Sequence, residues 1–242
     1  MGNCKARLLT PDAIKQAQDQ LLAYSGLSQD QYQVLQIFTD EAQENYMTTI
    51  LVGDQSKPKL VLVHGFGGSG ALYYKVLKGL AENFYLIVID LPGMGSSSRP
   101  TWRCRDGSEA DTFFMDAIER WRINMGNLTD FMVAAHSYGG YIFGTYASLY
   151  PQHIRKLLLL SPLGVKQRPE NFSLDRMRFM RGNGPPRWAV AIAKSLWGKV
   201  SPFSVLRFRS ARKCHEILDN YTQRMQRIED EQERAVFVEY LF

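Results

Sequence analysis

Ala134-Ala135-His136-Ser137-Tyr138-Gly139-Gly140 is the stretch on which the reading of this chain turns. It ends one apolar run, Phe131–Ala135, and opens another, Gly139–Leu149, with helical spacing. A serine among small residues where a strand turns into a helix is the nucleophile-elbow pattern G-x-S-x-G, with Ala135 at the first glycine position. The turn is tight and neighbouring backbone passes close, so small residues are needed there, and alanine is the mildest departure from glycine. Strain in such a bend exposes the serine hydroxyl at the sheet edge. The alternative is an unreactive serine in a glycine-rich turn, and the strand–turn–helix setting weighs against it.

Outward from the elbow the chain alternates. Leu60–Val63, Tyr85–Ile89 and Lys156–Leu160 are short apolar runs. Ala71–Ala81 and Thr112–Met125 have helical spacing, the second with Phe113, Ala117, Trp121 and Met125 on one face. Continuous apolar strands alternating with helices indicate a parallel sheet covered on both faces. Ligands of such sheets bind at the carboxyl ends of the strands, so a site is expected in the loops after Val63, Ile89, Ala135 and Leu160. Upstream, Tyr32–Thr39 and Tyr46–Val52 flank the polar DEAQEN and read as a hairpin. Pro11–Ala23 reads as an amphipathic helix with Thr10 as its N-cap.

His64-Gly65-Phe66-Gly67-Gly68 directly follows Leu60–Val63. Beside a nucleophile elbow, this loop supplies one backbone N–H to an oxyanion hole and the residue after the nucleophile supplies the other. The donors here would be Phe66 and Tyr138, supported by His64, Gly65, Gly67 and Gly139. A phosphate-binding loop is the rival reading, but GFGGSG lacks the lysine of a P-loop and does not fit G-x-G-x-x-G. Asp90 opens a third loop, DLPGMGSSSRP, and reads as structural because an acid ahead of the nucleophile breaks the Ser…acid…His order.

HGFGG, DLPGMGSSSRP, HSYGG, YASLYPQHIRKLLLL and SPLGV together resemble the α/β-hydrolase family. More narrowly, they are similar to the branch containing abhydrolase-domain-containing proteins four and five. AIERWRINMG, RPENF, SPFSVLR and FVEYLF resemble that branch too, so the likeness runs from near Pro11 to Phe242. It implies a three-layer α/β-hydrolase core, a mostly parallel sheet with helices on both faces, followed by a helical cap. The expected division is an N-terminal tail and helix over 1–31, the N-terminal part of the core over 32–163 and a basic cap over 164–242. The resemblance implies hydrolysis of an acyl ester or N-acyl bond in a phospholipid or lysophospholipid, with Ser137 as nucleophile and no metal or organic cofactor. The branch also holds lysophosphatidic acid acyltransferases and a lipase coactivator in which asparagine replaces the elbow serine. Retention of Ser137 favours a hydrolase over a non-catalytic regulator.

A serine hydroxyl is a weak nucleophile until an imidazole takes its proton and a carboxylate orients that imidazole. Only His153 and His215 follow Ser137. His153 sits in the turn before Lys156–Leu160 and His215 in the cap, and neither fits the usual order. His136 precedes the nucleophile and should point away, while His64 belongs to the oxyanion loop. The acid and base, with the C-terminal part of the core, are therefore expected beyond this chain, and so is the branch's H-x-x-x-x-D acyltransferase motif. The chain alone is expected to be inactive.

Composition fits this picture. With 242 residues, 45% apolar and 22% charged, the chain suits one globular domain and neither disorder nor a fibre. No apolar run approaches the roughly 20 residues of a membrane-spanning helix, and the N-terminus lacks a signal-peptide core. Cys4, Cys104 and Cys214 form no metal or disulfide pattern, which points to a reducing compartment. The net charge of +5 is uneven: residues 165–213 carry twelve Lys and Arg against two acids. Phe172, Phe179, Trp188, Trp197, Phe203 and Phe208 interleave with these cations. With Gly2 and Cys4 as acylation candidates, although Ala6 departs from the myristoylation pattern, the reading is a cytoplasmic protein peripheral to membranes or lipid droplets. No nucleic-acid motif accompanies the charge.

Overall fold

The computed structural model describes residues 11–164, 211–225 and 228–241. Its centre is a six-stranded sheet built from β1 (Tyr32–Phe38), β2 (Tyr46–Val52), β3 (Lys59–Val63), β4 (Tyr85–Ile89), β5 (Phe131–His136) and β6 (Ile154–Leu160). The spatial order is β1-β2-β4-β3-β5-β6. The β1–β2 hairpin is antiparallel and joins β4 antiparallel, whereas β4, β3, β5 and β6 run parallel. A mostly parallel sheet is what the alternation of apolar runs and helices predicts.

Helices lie on both faces: α1 (Pro11–Leu22), α2 (Tyr74–Ala81), α3 (Gly107–Asn124), α4 (Tyr138–Leu149), α5 (Ala211–Met225) and α6 (Glu231–Leu241). Side-chain alternation along the strands divides the core. Val61, Val63, Ile87, Ile89, Val133 and Ala135 face α3 and α4, meeting Ile118, Trp121, Ile142, Phe143 and Tyr146. Ile50, Val52, Leu60, Leu62, Leu86 and Val88 face the other way, against Leu21, Leu22, Tyr74, Leu77 and Phe237.

Three details depart from the sequence reading. α3 begins five residues before Thr112, because Asp106 caps it by accepting the Glu109 N–H at 3.0 Å. That first turn is exposed and polar, so it leaves no apolar periodicity to read. The stretch from Gly70 to Tyr73 is a 3-10 turn, and the α-helix starts at Tyr74. The third departure is at β6, the edge strand. Leu157 packs on the core, but Leu158, Leu159 and Leu160 are exposed, so coverage of both faces does not extend to this strand among the described residues. The basic, aromatic stretch between 165 and 210, most of the expected helical cap, lies outside the described residues, as do Gly2 and Cys4.

Candidate active site

The order β4-β3-β5 fixes the site. The chain leaves β3 toward β4 on one side and returns to β5 on the other, so the loops after β3 and β5 diverge at a topological switch point. Val63 is in register with both Ile89 and Ala135, and His136 with Leu160. The four loops singled out from sequence therefore share the carboxyl edge of the sheet, and His64-Gly65 lies beside His136-Ser137.

Ser137 has φ 52° and ψ −112°, a conformation that L-residues rarely adopt. Three hydrogen bonds hold it. Its N–H donates to the Leu160 carbonyl at 3.0 Å, and its own carbonyl accepts from Leu163 N–H at 2.9 Å and Tyr141 N–H at 3.3 Å. The end of β6 and the first turn of α4 thus clamp the bend from two sides. Close approach explains the small neighbours. A Cβ on Gly65 would lie 3.0 Å from both Ser137 Cβ and His136 Nδ1, and one on Gly140 would lie 2.8 Å from Pro162 Cβ. Ser137 itself is half-buried.

Tyr138 opens α4, where the first-turn amides have no partner within the helix and carry the positive end of its dipole. Phe66 lies on the facing loop, and its ring meets that of Tyr138 edge-on at 6.1 Å. Gly67 adopts φ 69°, which turns the loop back on itself, and Gly68 N–H donates to the Gly65 carbonyl at 3.0 Å.

His64 is held as a neutral ring. Nδ1 lies 2.7 Å from the Gly65 carbonyl, which only accepts, so Nδ1 carries the proton. Nε2 accepts the Leu91 N–H at 3.0 Å. Burial depresses the pKa of this imidazole, against the pull of nearby Asp90. Asp90 is fully buried and accepts the Gly70 N–H at 2.5 Å and the Ser96 N–H at 2.7 Å. Desolvation raises its pKa, opposed by His64 and those two amides. His64 and Asp90 therefore tie together the loops after β3 and β4.

The other histidines are placed as follows. His136 is exposed at the end of β5, beside Gly65. His153 lies at the amino end of β6, the far end of the sheet from Ser137, with Nε2 3.9 Å from Glu119. His215, on α5, lies 3.7 Å from Glu239 of α6. Among the described residues, no three His, Cys, Asp or Glu side chains are grouped so as to hold a metal ion.

Aromatic rings that the sequence reading passed over line the elbow. Tyr138 stacks on Tyr141 at 6.1 Å and meets Phe114 edge-on at 5.7 Å. Phe114 and Phe113 both touch Trp102. The Tyr141 hydroxyl lies 2.9 Å from both carboxylate oxygens of Asp111. Burial pushes the Tyr138 pKa up to about 12, so its phenol stays protonated at neutral pH. The adjacent Phe113-Phe114 was a visible signal, but nothing in a linear pattern says that two loops and two helices bring these rings into one row.

The model of the alpha/beta hydrolase fold matches residues 58–195. The chain belongs to the alpha/beta hydrolase fold family. This hydrolase-fold chain is 36% identical to a mouse (lyso)-N-acylphosphatidylethanolamine lipase over 68% of its own length and 46% of the lipase. It is 33% identical to an Arabidopsis thaliana 1-acylglycerol-3-phosphate O-acyltransferase, over 64% of this chain and 36% of that protein. A human 1-acylglycerol-3-phosphate O-acyltransferase, ABHD5, is 36% identical over 62% of this chain and 40% of its own length. The chain thus spans less than half the length of these curated relatives. Among solved structures, naproxen esterase from Bacillus subtilis superposes with a TM-score of 0.64 at 14% identity, covering 97% of this chain and 69% of the esterase. A bacterial membrane phospholipase A matches with a TM-score of 0.53 at 22% identity, over 72% of this chain and 51% of that one. At those identities the likeness is one of fold.

Proposed function

We propose that the chain carries the nucleophile half of a serine hydrolase acting on acyl ester or N-acyl bonds of phospholipids or lysophospholipids. The observation that supports this most is Ser137, held at positive φ between the loop after β3 and the end of β6. In this reading Ser137 Oγ adds to the acyl carbonyl, and the amides of Phe66 and Tyr138 hold the oxyanion, a donor of this kind lowering the barrier by about 3 kcal/mol. Collapse of the adduct expels the glycerol hydroxyl of an ester or the amine of an N-acyl bond, which takes a proton, and water then frees the acyl chain from Ser137. The Phe66–Tyr138–Phe114 row offers an apolar wall for that chain. His64, Gly65, Gly67 and Gly139 shape the loop and the bend.

The proton acceptor is the piece that these residues do not provide. His64 has both nitrogens engaged, His136 precedes the nucleophile and is exposed beside Gly65, His153 is at the wrong end of the sheet, and His215 is next to Glu239. The reading therefore calls for an imidazole and an orienting carboxylate from outside this stretch, and for little turnover by the stretch alone. Reversible membrane or droplet attachment through the basic residues after Gly164 and through acylated Gly2 and Cys4 belongs to the same proposal.

A fluorophosphonate probe tests it. Full-length protein should label, and Ser137→Ala should abolish the label. Absence of labelling in the parent would instead favour a non-catalytic lipid-associated regulator. Acyl transfer to lysophosphatidate is the second reading, because two of the relatives are acyltransferases by name. New phosphatidate formed from acyl-CoA in a Ser137-dependent manner would decide for it.

A further inference from the structure

Trp102 is the most exposed tryptophan among the described residues, at 57% of its surface, although Phe113 and Phe114 pack against its ring at 5.6 and 6.4 Å. It is not isolated. Phe114 touches Tyr138, and Tyr138 touches Phe66, which is 54% exposed. Leu163, 52% exposed, is fixed by its bond to the Ser137 carbonyl. Three large apolar side chains are thus a little over half exposed at the carboxyl edge of the sheet, each tied by rings or backbone to the elbow. Scattered surface hydrophobics need no explanation, but a set that rims one candidate site does.

Charge around Trp102 selects the occupant. Residues 99–111, RPTWRCRDGSEAD, hold three arginines against three acids, of which Asp106 caps α3 and Asp111 faces the Tyr141 hydroxyl. Arg99 is folded onto the carbonyls of Met94 and Gly95, and Arg105 pairs with Glu109, whereas Arg103 stands exposed next to the tryptophan. An exposed tryptophan held at a fixed angle beside an exposed cation suits the boundary between lipid head groups and acyl chains. The chain also leaves this rim at Gly164 into the segment of twelve cations. We propose that Trp102, Phe66 and Leu163 form an anionic-bilayer docking rim, which seats the edge of the sheet in the membrane with Ser137 facing the acyl chains.

The inference takes its orientation from the reading of Ser137 as acting on lipids, but the test needs no turnover, so the two fail separately. Full-length protein is floated with vesicles of equal parts phosphatidylcholine and phosphatidylserine, and with pure phosphatidylcholine vesicles. Trp102→Ala should lower partitioning onto the mixed vesicles about tenfold, roughly the loss expected when half a tryptophan surface no longer enters lipid. Trp102→Phe should retain most of the binding. Leu163→Ser should weaken it several-fold, and Arg103→Glu should weaken binding to the anionic vesicles selectively. Trp102→Phe, Leu163→Ser and Arg103→Glu should leave unfolding midpoints near the parent value, whereas Trp102→Ala also loses its packing on Phe113 and Phe114. Arg103→Glu keeps the question open to test if Trp102→Ala folds poorly. The proposal is overturned if the parent does not float, if Trp102→Ala floats like the parent, or if Arg103→Glu floats with the mixed vesicles as well as the parent does.

Discussion

A Cβ built on Gly139 stands 2.4 Å from the carbonyl oxygen of His64, so the first turn of α4 and the start of the loop after β3 touch with no room for a methyl group. The obstacle is backbone, and the neighbouring Val63 Cγ1 is only 2.8 Å from the same position. Neither can swing aside as a flexible side chain would. Gly139→Ala should therefore destabilise the fold by about 3 kcal/mol through overpacking, although alanine is the better helix former. Urea denaturation should show a lower midpoint with an unchanged slope. A midpoint equal to the parent's would mean that the two loops are not in contact.

Ser137 stores strain that glycine would relieve. A non-glycine residue at φ 52° costs on the order of 1 kcal/mol or more. Ser137→Gly is expected to raise stability by about 1 kcal/mol while removing the hydroxyl, whereas Ser137→Ala should remove the hydroxyl and keep the strain. Two variants equally dead to a fluorophosphonate probe but separated in unfolding free energy would identify the bend as a functional expense of the fold. If Ser137→Gly were the less stable, the clamp from Leu160 and Leu163 would be conformation-neutral and the strain argument would fail.

How much of this could be read from sequence follows from what kind of pattern each feature leaves. The parallel strands are continuous apolar runs, and the elbow and the HGFGG loop are short and contiguous, so both were legible. The register that sets Val63 beside Ala135 follows from strand order and could be foreseen only as a family property. The role of Asp90 as a buried acceptor for Gly70 and Ser96 needed the three-dimensional loop, because its partners lie twenty residues before and six residues after it. Trp121 was assigned to the core face of α3, but its hydrogen bond to Thr49, 2.9 Å long and 72 residues away in sequence, leaves no local trace. Exposure of the β6 leucines was missed for the opposite reason: an apolar run reads as buried whether or not anything covers it.

Glu119 gives a prediction that separates stability from chemistry. Its carboxylate accepts from Arg122 Nη2 at 2.7 Å and Nε at 2.9 Å, and from the Tyr146 hydroxyl at 2.5 Å. The Arg122 side chain beside it is almost wholly buried, and these bonds hold the carboxyl below the usual glutamate range. Glu119→Ala leaves that guanidinium without its counter-ion and should cost about 3 kcal/mol. The cluster lies toward the amino ends of β5 and β6, away from Ser137, so probe labelling of the folded variant should match the parent. Reduced labelling at a temperature where the variant is fully folded would show that the two ends of the sheet are coupled.

The neutral His64 makes stability depend on pH in a definable direction. Its folded pKa is depressed by burial, so in acid the unfolded chain binds a proton at this ring before the folded chain does. Stability from this group is complete above the unfolded value of about 6.5 and falls as pH drops below it, by at most about 1.4 kcal/mol per pH unit. Asp90 works in the opposite sense: its folded pKa is raised, so its contribution is present below about 3.8 and declines as pH rises toward the folded value. The two slopes oppose each other in the acid range, and the parent curve alone cannot apportion them. His64→Asn removes the titrating ring while keeping a side chain that can accept the Leu91 N–H. The difference between parent and variant unfolding free energies should therefore narrow steadily from pH 7 to pH 5, with the variant less stable at pH 7 because the fit to Gly65 and Leu91 is poorer. A difference that is constant over that interval would mean that the ring titrates alike in both states, and the assignment of His64 as a permanently neutral strut between the two loops would be lost.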